Sequence, residues 1–106
     1  DVVAIEDLFT RFKNPRTAIL MAHARGTLLL ACAERGIPVV PYAPRLVKNA
    51  MVGSGAAQKS QIQERVRVIF GLARPPEPHD IADALAIALT HIQRVLQHAV
   101  IPKETV

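Results

Sequence analysis

This chain of 106 residues predicts an α/β fold in a three-layer pattern. Two observations carry the expectation. The short apolar runs Val2–Ile5 and Ile37–Tyr42 lie on either side of a long helical stretch, and continuous apolar runs of that kind suit strands buried on both faces. Strand–helix–strand order is in turn the pattern of parallel strands joined by a crossover. The whole reads strand, helix, strand, helix, helix, helix. The chain opens inside its first strand without a methionine. It is therefore expected to be the C-terminal part of a longer polypeptide, with earlier strands upstream and one domain over residues 1–106.

The elements follow from local chemistry. After the first strand, Asp7 to Asn14 read as a loop carrying Phe9, Arg11, Phe12 and Lys13. Asn14 is a plausible N-cap, and Pro15 suits the first helical position, where its missing N–H had no partner. That helix runs to about Arg35, and Gly36 stops it. Ala18, Leu20, Met21, Ala22, Leu28, Leu29, Cys32 and Ala33 wrap much of its surface, which predicts burial on more than one side: its own sheet and a partner subunit. Pro38 and Pro41 argue that the second strand lies at an edge. Ala43 to Val52 reads as a short helix, broken by Gly53-Ser54-Gly55. Another helix follows over about Ala57 to Phe70, then a proline-rich connector, Gly71 to His79. The last helix runs from about Asp80 to Val100, with Leu85, Leu89, Ile92 and Leu96 at helical spacing.

Composition narrows the class. Half the residues are apolar, enough for a core, and the formal charge of +4 favours a polyanionic partner. The single cysteine, Cys32, excludes an intrachain disulfide and reads as a small core residue; a reducing, cytoplasmic setting fits. Apolar stretches are interrupted well before the roughly 20 residues of a membrane span.

Three acids concentrate the chemistry. Glu6 ends the first strand, where open α/β sheets build their sites. Asp80 and Asp83 lie three residues apart in the first turn of the last helix. If the two ends meet, hard oxygen ligands converge with no nearby lysine to neutralise them, a set suited to Mg²⁺ or Mn²⁺ and phosphodiester chemistry. Each acid also has a plainer reading. Asp80 can be an N-cap, and both aspartates favour the helix dipole. Glu6 can pair with Arg11 or Lys13. Against the plainer reading, a strongly apolar helix places Asp83 away from water, where an acid needs a metal, a proton or a cation. His79, beside Asp80, has a minor part as an aid to a metal or to proton transfer.

Taken together, Ala4-Ile5-Glu6 with Phe9, Ala24-Arg25-Gly26, Val47-Lys48, Val52-Gly53-Ser54-Gly55-Ala56, Lys59-Ser60-Gln61, and Asp80-Ile81-Ala82-Asp83-Ala84-Leu85-Ala86-Ile87-Ala88 with Thr90-His91 resemble the RuvC family of bacterial Holliday-junction resolvases. The match covers nearly the whole chain, in order. The resemblance implies an RNase H-like fold and a homodimeric, Mg²⁺-dependent endonuclease (Mn²⁺ able to substitute) that cuts a four-way DNA junction symmetrically. It implies Glu6, Asp80 and Asp83 as three of four metal ligands. The fourth, an aspartate on the family's first strand, has no counterpart in this stretch, which by itself is expected to be inactive.

The resemblance also assigns the basic and aromatic residues. Lys48 and Lys59 match lysines that approach the DNA backbone near the cut, where a cation releases counterions; solubility is their plainer role. Lys59 would offset charge on the scissile phosphate. Gly53-Ser54-Gly55, with Ser54 at its centre, can offer backbone N–H groups to a phosphate. Phe9, in a basic loop with Arg11, would stack on an unpaired base, a contact of about 1–3 kcal/mol, or else anchor its loop. Phe12 competes for that role, because the loop is one residue longer than the family's. The helix over residues 15–35 would be the dimer seam, its two-fold matching that of the junction. The sequence leaves open whether branch-migration proteins dock. Three other readings stand beside this one: a different RNase H-like nuclease, a non-catalytic junction-binding or dimerisation module, and a structural fragment with an unpaired strand edge.

Overall fold

The computed structural model describes residues 1–7, 14–55 and 57–100, without the side chains of residues 99 and 100. The elements run β1 (Val3–Glu6), α1 (Pro15–Glu34), β2 (Val39–Tyr42), α2 (Pro44–Val52), α3 (Lys59–Phe70) and α4 (His79–Val100). Their order is the expected one. The chain divides into two compact units, Asp1–Ala43 and Pro44–Val106.

The first unit is a strand–helix–strand crossover. β1 and β2 pair in parallel with Val3 opposite Val39 and Glu6 opposite Tyr42, and the sheet is two-stranded among the described residues. The ladder explains how β2 tolerates a proline. Val3 N–H donates to the Pro38 carbonyl and Asp7 N–H to that of Tyr42. Even-numbered residues of β2 therefore face β1, and by the two-residue period the nitrogen of Pro41 faces away from the ladder. Asn14 caps α1 as expected, its Oδ1 accepting from Arg16 N–H at 3.0 Å, with Pro15 in the first turn. Gly36 ends the helix at a φ of 63°, a left-handed turn that a side chain would resist.

The burial of α1 departs from expectation. Within the chain only Cys32 is buried on it. Leu20 and Leu30 are 62% and 59% exposed, and Ile19, Met21 and Leu28 are exposed as well. At 3.6 residues per turn these five spread over three sides of the helix. One stripe, through Ala18, Arg25, Leu29 and Cys32, is covered. The predicted second buried side is open in a single chain.

The second unit is a packed set of three helices. Val47 and Met51 of α2, Ile62 and Val66 of α3, and Ala82, Ala86 and Ile87 of α4 form its core. Of the stripe at Leu85, Leu89, Ile92 and Leu96, the first two are half-buried and the last two exposed, and the fully enclosed positions are Ala82, Ala86 and Thr90. Small residues at four-residue spacing let a neighbouring helix approach α4 closely. The enclosed Thr90 hydroxyl donates to the Ala86 carbonyl at 2.8 Å, so no polar group is stranded there. α3 begins where the Gln61 side chain accepts from Gln58 N–H at 2.7 Å and ends at Gly71 in a left-handed conformation. The exposed Glu64 and Arg67 are joined side by side, and hydrogen bonds from Arg67 hold the Glu64 carboxyl below the usual carboxylate range.

Val66→Ala removes two enclosed methyl groups and leaves a void in the helical core. It is expected to lower stability by about 2 kcal/mol, read as a shift of the urea unfolding midpoint without a change of slope.

Candidate metal and phosphate site

α4 begins one residue earlier than its acids suggested, at His79. Asp80 is therefore inside the first turn and not the N-cap, and it is free of the capping role that was its plainer explanation. Its carboxylate is 79% exposed. Asp83 lies one turn on, half-buried, beside the enclosed Ala82 and on the Asp83–Ile87–Thr90 edge of the packed face. The core thus holds Asp83 in place while leaving its carboxylate within reach of water.

His79 completes the group. One ligand atom each from His79, Asp80 and Asp83 lie within 4.8 Å of one another. His79 Nε2 is 3.2 Å from Asp80 Oδ1. Sequence reading gave this histidine a minor part. Its signal was the His-x-x-x-Asp spacing, which puts residues 79 and 83 on one helical face.

The expectation of no nearby lysine is overturned. Lys59 Nζ lies 3.2 Å from His79 Nε2. Lys59 is the first residue of α3, where the positive end of the helix dipole disfavours a cation. Its exposed ammonium reaches His79 at the start of α4. Two helices whose first residues are twenty apart thus bring a lysine, a histidine and two aspartates into one cluster open to water.

The other predicted residues fall as follows. Glu6 is exposed at the C-terminal end of β1 in the first unit. Beside it, Asp7 pairs with Arg25 of α1 at 3.5 Å, an ion pair that ties the exit of β1 to the helix and that sequence reading did not assign. Phe9, Arg11, Phe12 and Lys13 lie outside the described residues. Lys48 is half-buried on α2 and Ser54 exposed after it. In the Gly53-Ser54-Gly55 turn, the Gly53 N–H donates to the Asn49 carbonyl at 2.8 Å, so that donor is not offered to a phosphate. Gly55 is required by a neighbour: a Cβ there would come within 2.6 Å of the Arg45 side chain.

The donor set suits a hard divalent ion. Two carboxylates at an exposed edge leave room for water ligands, which Mg²⁺ retains. Comparison with known proteins agrees with this chemistry. The family model for crossover junction endodeoxyribonuclease RuvC matches residues 1–91.

The chain belongs to the RuvC family.

RuvC relatives share about half their residues with it. That of Rhodopirellula baltica is 53% identical over 89 residues, covering 84% of this chain and 50% of the relative. That of Chloroflexus aggregans is 53% identical over 91 residues, covering 86% and 55%. The chain thus spans about half the length of the curated relatives it matches. Among solved structures, Thermus thermophilus RuvC superposes with a TM-score of 0.76 at 40% identity, over 92% of this chain and 58% of that one. The same protein in complex with a Holliday junction substrate gives 0.79 at 43% identity, over 86% and 55%. The α/β architecture expected from sequence is thereby the RNase H-like fold of RuvC.

Asp83→Asn keeps the size of the side chain and removes its charge. Titration calorimetry with Mg²⁺ is expected to show metal affinity reduced at least about tenfold, with the thermal unfolding of the helical signal little changed.

Proposed function

We propose that this chain is part of a Holliday-junction-resolving endonuclease, hydrolysing phosphodiester bonds of four-way DNA junctions in recombination and repair, with Mg²⁺ as its ion and Mn²⁺ able to substitute. The carrying observation is the His79–Asp80–Asp83 cluster with Lys59 in contact, within a chain that the RuvC family model matches over residues 1–91. That match runs through both compact units, which supports reading residues 1–106 as one nuclease domain.

In this reading Glu6, Asp80 and Asp83 are the carboxylate ligands. A divalent ion held there supplies a water of lowered pKa and offsets charge on the leaving oxygen. Lys59 places its ammonium against the scissile phosphate, and Lys48 and Arg11 neutralise the DNA backbone. The turn at Ser54 offers backbone N–H to a DNA phosphate, and Phe9 stacks on an unpaired base. Glu6 would contribute to both ions or orient the attacking water.

The exposed apolar surface of α1 supports its role as the seam of a homodimer, since Leu20, Leu30 and their neighbours gain most from burial against a second copy. Two sites related by a two-fold would meet the symmetry of a junction. Buried, unpaired Cys32 suits a reducing cytoplasm. No helix among the described residues is long and apolar enough to cross a membrane.

The deciding experiment is cleavage of an end-labelled synthetic four-way junction in Mg²⁺. Three proteins are compared: this chain, the chain extended by the first strand of the Rhodopirellula baltica relative, and the extended chain carrying Asp83→Asn. Paired, symmetric nicks are expected from the extended chain alone, reduced at least about a hundredfold by Asp83→Asn. Junction binding without nicking by all three would overturn the enzyme reading and leave a binding module. In parallel, junction affinity measured against salt is expected to lose about one unit of its logarithmic slope in each of Lys48→Ala and Lys59→Ala.

A further inference from the structure

One nitrogen in the cluster has two neighbours that it cannot satisfy together. His79 Nε2 lies 3.2 Å from Lys59 Nζ and 3.2 Å from Asp80 Oδ1. An ammonium only donates, so toward Lys59 the nitrogen must present a lone pair. A carboxylate only accepts, so a hydrogen bond toward Asp80 would need a proton on the same nitrogen. The conflict disappears when a cation sits among the three donors, because a lone pair on Nε2 and the oxygens of Asp80 and Asp83 then point at one positive charge.

The dimensions suit such a cation. The three ligand atoms lie within 4.8 Å of one another. Around a six-coordinate ion with bonds of about 2.1 Å, neighbouring ligands are about 3 Å apart and opposite ones about 4.2 Å. Modest side-chain rotation closes the difference, and exposed Asp80 has room to make it. Lys59 Nζ already lies against that nitrogen at 3.2 Å, reaching it from a helix N-terminus that disfavours a cation.

We propose that His79 is a protein ligand of the Asp80–Asp83 site, binding through Nε2 in place of the Lys59 ammonium, and that this nitrogen shifts the preference of the site from Mg²⁺ toward Mn²⁺. The inference rests on the metal-site reading above and adds to it a ligand and a selectivity. Mg²⁺ favours oxygen donors and sheds its waters reluctantly. Mn²⁺ accepts carboxylates as readily and takes an imidazole as well. Metal binding would also release Lys59 from His79, leaving its ammonium for a phosphate.

The test uses the whole 106-residue chain, titrated separately with MnCl₂ and MgCl₂ by calorimetry, as wild type, His79→Ala, His79→Gln and Asp83→Asn. Expected are Mn²⁺ binding at least about tenfold tighter than Mg²⁺ in the wild type, a loss of about tenfold for Mn²⁺ alone in both His79 variants, and a loss for both ions in Asp83→Asn. Electron spin-echo spectra of Mn²⁺ on the wild-type chain are expected to show nitrogen modulation from a coordinated imidazole. That readout needs no substitution and stands even if a variant misfolds. Bound Mn²⁺ without nitrogen modulation, or unchanged Mn²⁺ affinity in folded His79 variants, overturns the proposal and leaves His79 only as a positioner of Lys59. Binding of neither ion by the wild type overturns the metal-site reading itself.

Discussion

The close packing of α3 against α4 is the constraint on which the site depends. Ala82, Ala86 and Thr90 are fully enclosed on α4, and Val66 is fully enclosed on α3. Replacing any of them with a larger residue would push the helices apart, since a packed interior absorbs extra volume only by moving its walls. The contact between Lys59 Nζ and His79 Nε2, at 3.2 Å, spans the ends of the same two helices. The polar cluster is thus held by an apolar face that takes no part in its chemistry.

The same packing explains why the acids are stable where they are. Asp80 and Asp83 lie on one turn of one helix, and two like charges at that spacing repel. Lys59 is brought to them across the helix pair, from a position its own helix disfavours.

In the first unit the balance is between coverage and exposure. The ladder of β1 and β2 is complete, and Arg25 ties Asp7 to α1. Yet α1 is covered along one stripe, and its leucines are open to solvent elsewhere. Sequence alone showed that this helix is apolar nearly all round. Which of its sides the chain itself covers is a matter of where the strands lie, and no periodicity reports that when apolar residues occur at every phase.

What the sequence by itself determined is considerable. The order of elements, the Asn14 cap, the stop at Gly36 and the candidate acids are written locally, in single residues whose backbone or charge preferences act over one turn. The run from Asp80 to Ala88, with Glu6 upstream, sufficed to point to the RuvC family. What the tertiary structure decided is which neighbours those residues meet. Lys59 and His79 are twenty positions apart, and only the docking of α3 on α4 makes them partners. The fully enclosed positions of α4 are Ala82, Ala86 and Thr90 although leucines stood at the same spacing, because close helix packing favours small residues and sequence patterning counts only apolarity. Local preferences were legible because their causes lie within a turn or two of chain, whereas the site's charge balance was not, because its cause is a contact between distant segments.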